Sequence, residues 1–233
     1  MINYQDRQRQ LIGRIKSDSD LKYNQATIIA MEPNKVAYNN SQEITLTLVV
    51  FVPASLGQVI QEKIILPLQK IEPEHFYSPL KSLHLTIKNV RAASRPPTFT
   101  AEEVKKVDEL FKKIVPNLLS FDFTLEGLMP FATSASLMGY CDERLKDLVI
   151  GLDAGLRQIG VPDNKKYFSN EIFFGNISLC RFVHEPSLAF MNKVEAMARI
   201  SVGNLPIKQI SLITCNKVCS QESQKIIGTY NLK

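Results

Sequence analysis

The sequence predicts an α/β (α+β) fold of two pseudo-symmetric lobes with mainly antiparallel sheets around a central cleft, and three observations carry that prediction. Short β-branched and aromatic runs alternate along the chain with stretches of helical period. The order strand, helix, strand occurs twice, with Phe51 to His84 spanning 33 positions and Tyr140 to Asn176 spanning 36. The two returning strands begin alike, His84-Leu85-Thr86 and Asn176-Ile177-Ser178, each a polar residue, an aliphatic one and a hydroxyl. Two lobes that each donate one such strand would share a cleft. With 233 residues, 45% of them apolar, the chain can fill a core, so disorder is excluded as its main state. The expected organisation is an N-terminal extension over residues 1–40 and a single bilobal domain over 41–233.

The elements follow in order. Tyr4 to Lys16 reads as a polar helix, followed by a charged break at Ser17-Asp18-Ser19-Asp20 and a short apolar run from Ile28 to Met31. Ile44 to Val52 is a buried strand stopped by Pro53. Ser55 is placed to cap a helix whose apolar residues Leu56, Val59, Ile60, Ile64, Ile65 and Leu68 share a face and which ends before Pro73. Ser82 to Val90 is the returning strand. Thr100 and Glu103 form a capping box opening a helix from Ala101 to Ile114, closed by Pro116. Phe121 to Leu125 alternates as a strand, a turn is expected at Met129-Pro130, and Ser134 to Tyr140 is a further strand. Asp142 caps a helix with the stripe Leu145, Leu148, Val149, Leu152 and Leu156, and Gly160 with Pro162 ends it. Ile172 to Val183 is a strand, Glu185-Pro186-Ser187 opens a helix reaching Ile200, and Ile207 to Val218 and Lys225 to Tyr230 are the closing strands.

Composition narrows the function. Twenty-eight Lys and Arg against 23 Asp and Glu give a net charge of +5, which suits phosphate-bearing ligands without reaching the density of a dedicated duplex binder. The longest apolar stretch, Leu46 to Val52, falls far short of the ~20 residues that span a bilayer. The first twenty residues lack the apolar core of a secretory signal, which predicts a cytoplasmic protein with Cys141, Cys180, Cys215 and Cys219 as reduced core thiols. Asn176-Ile177-Ser178 has the form of a glycosylation acceptor, but in a strand of a chain without an export signal the match carries no meaning. Cys215 and Cys219 share a face of one strand, yet no CxxC pair or nearby histidine completes a zinc set. No metal cluster, Walker pattern or phosphate-cradling glycine loop is seen, so neither metal nor cofactor is expected.

Chemistry concentrates on His84. In a strand, His84 and Thr86 face one way and Leu83, Leu85 and Ile87 the other, so one face is apolar and the other sets an imidazole beside a hydroxyl. An imidazole moves protons near neutral pH and a hydroxyl donates to phosphate oxygen.

Here the sequence resembles the two-histidine (2H) phosphoesterase superfamily, in its 2′-5′ RNA ligase-like, RNA cyclic phosphodiesterase branch. The residues that carry the resemblance are Phe51-Val52-Pro53, Leu83 to Ile87, Phe131 to Tyr140, and Asn176 to Phe182, with the two tripeptides starting at 84 and 176, 92 apart. It covers the chain from Gln42 onward. It implies a bilobal cleft that acts on or binds a nucleotide or RNA end carrying a 2′,3′-cyclic or 2′-5′ phosphodiester, with His84 catalytic and Thr86 and Ser178 holding phosphate. The pattern departs at Asn176, which stands where the family has its second histidine. An amide donates a hydrogen bond to phosphate but cannot exchange a proton near neutral pH. A general acid or base is worth roughly 10²–10⁴ in rate, so two-histidine catalysis is expected to be strongly impaired. The alternative is a catalytically inactive nucleotide- or RNA-binding module or an interaction scaffold.

The remaining candidates are weaker. His75, in a loop between Pro73 and Pro79, is either a surface histidine or a substitute histidine reaching the cleft, and His184 is too far along its strand. Strict alternation gives Lys88 the face of His84 and Thr86, where it is either a solvated edge lysine or an extension of a positive cleft, and turns Arg181 to the opposite face and a surface ion pair. Tyr140 and Phe51, at matching strand ends, are expected to pack in the core.

Overall fold

A computed structural model describes residues 2–18 and 29–233. The expected break after Ser17 and the apolar run from Ile28 lie partly outside the described residues. Helix α1 (Tyr4–Ser17), capped by Asn3, and the short α2 (Lys35–Asn39) precede the first repeat. That repeat consists of β1 (Ile44–Phe51), a helix α3 and β3 (His84–Ser94), with a two-residue strand β2 (Phe76–Tyr77) on the way. Helix α3 runs through Ala54–Ile60, a wider turn at Gln61–Ile65, and Leu66–Gln69. The wide turn comes just before Pro67, which cannot donate to the helical ladder and whose ring crowds the carbonyl one turn back. Pro53, not Ser55, holds the N-cap position, and no side chain caps this helix. Pro53's ring fixes φ near the helical value, so the helix starts earlier than the serine implies.

Helix α4 (Ala101–Ile114) opens on the expected capping box, with the Thr100 hydroxyl accepting from Glu103 N and the Glu103 carboxylate accepting from Thr100 N. Strand β4 (Phe121–Phe131) continues through Met129-Pro130, and the turn falls instead at residues 132 and 133 before β5 (Ser134–Tyr140). Pro130 fits because β4 pairs with β7 (Ser201–Ile207) only as far as Glu126, so the side of β4 beyond it has no ladder to donate to. The second repeat is β5, α5 (Arg144–Gln158) and β6 (Gly175–Arg181), and Ser187 caps α6 (Leu188–Ala196). The strand expected over Ile207 to Val218 is two strands. Strand β7 ends at Ile207, the chain crosses lobes at Lys208, and β8 (Gln209–Asn216) pairs with β9 (Lys225–Asn231).

All strand pairs are antiparallel, in two sheets ordered β3-β1-β8-β9 and β2-β6-β5-β4-β7. The orders superimpose as β3 on β6, β1 on β5, β8 on β4 and β9 on β7, which is the pseudo-symmetry the repeat predicts. One continuous core joins the lobes, with Leu46, Leu48 and Leu85 from one sheet and Phe123, Leu137 and Ile177 from the other. Among the described residues no helix is long and apolar enough to cross a membrane. Helix α1 lays Leu11, Ile12 and Ile15 on Met129, Met138 and Tyr140, and Gln8, fully buried, donates to the Phe173 carbonyl at 2.6 Å.

The lobes meet where β3 packs on β6. Gly139 and Gly175 stand opposite one another in the β5–β6 ladder, leaving a hollow that the Leu85 side chain fills. A Cβ at Gly175 would lie 2.6 Å from Leu85 Cδ1 and 2.8 Å from Phe123 Cε1, so a larger residue fits only if those side chains shift. Gly175→Ala is therefore expected to lower stability by about 1–3 kcal/mol through overpacking, read from the urea midpoint. Leu85→Ala removes the Leu85 part of that clash, so the double variant is expected to lose less than the sum of the two single losses. Strict additivity would show that Leu85 does not fill this hollow.

Candidate functional site

A strand alternates its side chains between two faces, and β3 and β6 both break that alternation at the same place. In β3, Thr86 pairs with Val49 and Lys88 with Leu48, which leaves Ile87 as an extra residue. In β6, Ser178 pairs with Ser136 and Cys180 with Ala135, which leaves Leu179 as an extra residue. Each is a β-bulge one position after the hydroxyl, and each reverses which face the following residues meet. Consequently His84, Thr86 and Asn89 from β3, and Asn176, Ser178 and Arg181 from β6, line one cavity of about 250 Å³. The two triplets have the same spacing, and all six side chains are half-buried.

The bulges overturn two expectations. Lys88 leaves the cleft for the opposite face, where it is fully buried between the carboxylates of Asp153 and Asp163, with its ammonium 4.7 Å from the Tyr167 ring centroid. Arg181 turns in: its guanidinium donates to Ser178 Oγ at 3.4 Å, and no carboxylate among the described residues pairs with it. His75 also fails as a substitute. It is fully buried outside the cavity, its Nδ1 accepting from Val183 N at 3.3 Å and its Nε2 lying 2.6 Å from Glu72 Oε2. The His184 ring lies against it, tilted by 44° with ring centroids 4.7 Å apart, and is likewise outside. Together with Glu72 these two histidines bring three ligand atoms within 4.8 Å of one another, a grouping that could hold a metal ion but stands apart from the cavity lining. Tyr140 and Phe51 stay out of the cavity, as expected, packing in apolar clusters. Cys215 and Cys219 are buried thiols, but both also line the cavity, and Cys219 lies past the end of β8.

The displaced Lys88 positions the next part of the site. Its grip on Asp163, with the Arg91 guanidinium on the Pro162 carbonyl and Ala92 N on Asn164 Oδ1 at 2.7 Å, pins the loop after α5 to the back of β3. That loop carries Lys165, Lys166, Tyr167 and Phe168 into the cavity wall. Phe168 and Phe174 stack with centroids 6.3 Å apart and 21° between planes, and together with Phe131 they form an aromatic side of the cavity that rests on the cluster under α1.

Charge in the cavity is one-sided. Lys165, Lys166, Arg181 and Lys217 line it, and among the described residues no Asp or Glu does. Lys217 is neutralised by Glu32 and by Glu43 at 2.8 Å, whereas Lys165 has no carboxylate partner within salt-bridge distance among the described residues. Burial first, then the nearby Lys88 and Arg181 cations, push the Lys165 pKa down to about 8, with Asp163 opposing. Burial also lowers Arg181, whose guanidinium nonetheless stays charged. His84 Nδ1 donates to the Ser82 carbonyl at 2.8 Å, which fixes the tautomer and leaves Nε2 as the basic nitrogen. Burial lowers the His84 pKa, but the Cys219 sulfur and the Ser82 carbonyl outweigh it, and the net direction is upward. Asn176 Nδ2 makes only a long 3.5 Å bond to Ser136 Oγ and so keeps its donors for the cavity.

Sequence reading missed Arg181, Asn89, Ser136 and Lys165 because strict alternation hides a bulge and loop residues have no period. The one usable signal was the run from Lys165 to Phe174, two lysines and four aromatics just before Asn176.

Because Lys165 is cationic below about pH 8 and neutral above, affinity for a phosphodiester, whose own charge is constant, is expected to hold from pH 7 to 8 and fall above. Titration calorimetry from pH 7 to 10 reads this. Lys165→Met should bind more weakly at pH 7 and show no such fall, and an equal decline in both proteins would assign the titration elsewhere.

No protein-family model and no curated protein matches the sequence. Solved structures do match. A phosphoesterase shares 16% identity at a TM-score of 0.58, covering 82% of this chain and 99% of its own. A Thermus thermophilus protein shares 16% at 0.58, covering 80% and 97%. Escherichia coli LigT in complex with ATP shares 16% at 0.56, covering 82% and 99%, and LigT has also been solved with phosphate and with 3′-AMP. The chain has the LigT-like phosphoesterase fold, as the sequence resemblance implied.

Proposed function

We propose that the cavity takes the phosphate of a nucleotide or RNA end carrying a 2′,3′-cyclic or 2′-5′ phosphodiester, and that the chain acts on or binds that group with His84 as its proton-transfer residue. The observation that carries this reading is the cavity's charge: Lys165, Lys166 and Arg181 line it with no Asp or Glu among the described lining residues, while Lys217 is neutralised by Glu32 and Glu43. A buried site of that sign attracts an anion and disfavours a cationic substrate. Hydroxyls at Thr86, Ser136 and Ser178 and the Asn176 amide supply neutral donors that hold phosphate oxygens in fixed directions. The aromatic side at Phe131, Phe168 and Phe174 offers a nucleobase a stacking surface, worth about 1–3 kcal/mol per base. The volume of about 250 Å³ suits one nucleotide unit rather than an enclosed oligonucleotide. The LigT complexes with ATP, 3′-AMP and phosphate support the choice by analogy of fold.

In this reading His84 Nε2 takes the proton of the attacking water or hydroxyl, while Arg181 and Lys165 neutralise charge that builds on the phosphoryl oxygens. Thr86, Ser178 and Asn176 orient the group. The leaving oxygen has no histidine opposite His84 to protonate it, so turnover is slow. Asn176 favours the second reading, a binding module that recognises the same group without turning it over. Residues 41–233 form the single bilobal phosphoesterase-like domain, and residues 1–40 are an N-terminal extension whose α1 braces the aromatic side. A cytoplasmic setting fits, since the four cysteines are free.

Asn176→His restores a second proton-transfer group, so hydrolysis of a 2′,3′-cyclic nucleotide is expected to rise at least about tenfold. His84→Ala in that background should abolish the gain, with Asn176→Ala as the control for loss of the amide. If Asn176→His folds and binds but hydrolyses no faster, the binding module replaces the enzyme. If neither a cyclic nucleotide nor a 2′-5′ dinucleotide gives binding heat with the natural chain, the phosphodiester reading itself is wrong.

A further inference from the structure

Cys215 and Cys219 flank a tight turn at the end of β8 that Asn216 holds rigid. The Asn216 carboxamide oxygen accepts from Val218 N at 3.2 Å and Ser220 N at 3.0 Å, and its Nδ2 donates to the Asn39 carbonyl at 2.8 Å and to Ser220 Oγ at 3.1 Å. Cys219 N closes the turn on the Asn216 carbonyl at 2.9 Å, and Cys219 takes the left-handed conformation, with φ of 53°. A non-glycine residue adopts that conformation at a cost of roughly 1–2 kcal/mol, and here Cys219 shares an apolar cluster with Cys215. Both residues pack with Val49 and Ile213, and both line the cavity beside His84.

We propose that Cys215 and Cys219 are an oxidisable dithiol in the cavity wall, which a hydroperoxide converts to an intramolecular disulfide. Cys219 reacts first, because the thiolate is the nucleophile and the neighbouring Cys215 thiol and His84 imidazole hold the Cys219 thiol well below the ordinary thiol range. Its sulfur attacks the terminal peroxide oxygen, the O–O bond breaks, and the departing oxygen takes a proton to leave as water or alcohol. Cys219 is then a sulfenic acid. Cys215 attacks that sulfur, the S–O bond breaks, and the oxygen leaves as water with the Cys215 proton. Two thiols and one hydroperoxide give one disulfide, one water and one water or alcohol. The disulfide replaces two thiols in the cavity wall beside His84, so oxidation reports directly on the cavity.

The other two cysteines serve as internal references. Cys141 and Cys180 are buried outside the cavity, and burial pushes the Cys141 thiol up to about 12 and raises Cys180 as well. The full chain, treated with hydrogen peroxide and then alkylated in denaturant, is digested and read by mass spectrometry, so the result does not depend on any catalytic activity. The expected result is a peptide that carries both Cys215 and Cys219 and has lost two hydrogen atoms, formed at least about tenfold faster than any change at Cys141 or Cys180. Cys215→Ser should stop at a Cys219 sulfenic acid that dimedone traps. The proposal is overturned if Cys141 or Cys180 oxidises as fast, if Cys219 pairs with another chain instead, or if both thiols stay alkylatable in the natural chain. Since the natural chain decides those three outcomes, the proposal remains testable even if the serine variant does not fold.

Discussion

Two strands that wall a cleft can give it only every second side chain unless their ladders are interrupted, and the cavity depends on an interruption made twice. The extra residues Ile87 and Leu179 follow the hydroxyls Thr86 and Ser178 at equivalent points of the two repeats. Ahead of each bulge the alternation presents a polar residue and a hydroxyl, and behind it the reversed alternation presents Asn89 in one lobe and Arg181 in the other. The pseudo-symmetry thus extends beyond the tripeptides that announce it.

The same bulges organise the electrostatics. Reversal in β3 sends Lys88 to the rear, where it draws Asp153 and Asp163 to itself and away from the cavity. Asp163 brings the loop after α5 with it, and that loop presents Lys165 and the aromatic residues. Reversal in β6 sends Cys180 into the core and brings Arg181 in without a counter-charge among the described residues. A positive cavity inside a chain of only +5 net charge is therefore a matter of placement rather than composition. The close approach of β3 and β6 over Gly175 keeps the two triplets facing one space.

Much of this was legible beforehand. The repeated strand, helix, strand order gave the two lobes, the Thr100–Glu103 box and the apolar stripe of α5 gave helices whose register is local, and the matched tripeptides gave four of the cavity's polar residues. What escaped was non-local. A bulge is decided by pairing with another strand, so Lys88 and Arg181 were each assigned the wrong face. Strand β7, with Gly203, Asn204 and Pro206, has poor strand formers and is held by pairing with β4. Cys219 reads as part of a strand because the turn that carries it is closed by the Asn216 side chain rather than by a glycine.

Arg181, turned inward by its bulge and lacking a carboxylate partner among the described residues, is the residue on which recognition of an anionic phosphodiester chiefly rests. Calorimetric titration of a 2′,3′-cyclic nucleotide into the natural chain and into Arg181→Ala, each at low and high salt, tests this most directly. Loss of a charged hydrogen-bond donor worth about 1.5–3 kcal/mol is expected to weaken binding roughly ten- to a hundredfold and to flatten its dependence on salt. Equal affinity and equal salt dependence in the two proteins would contradict the account.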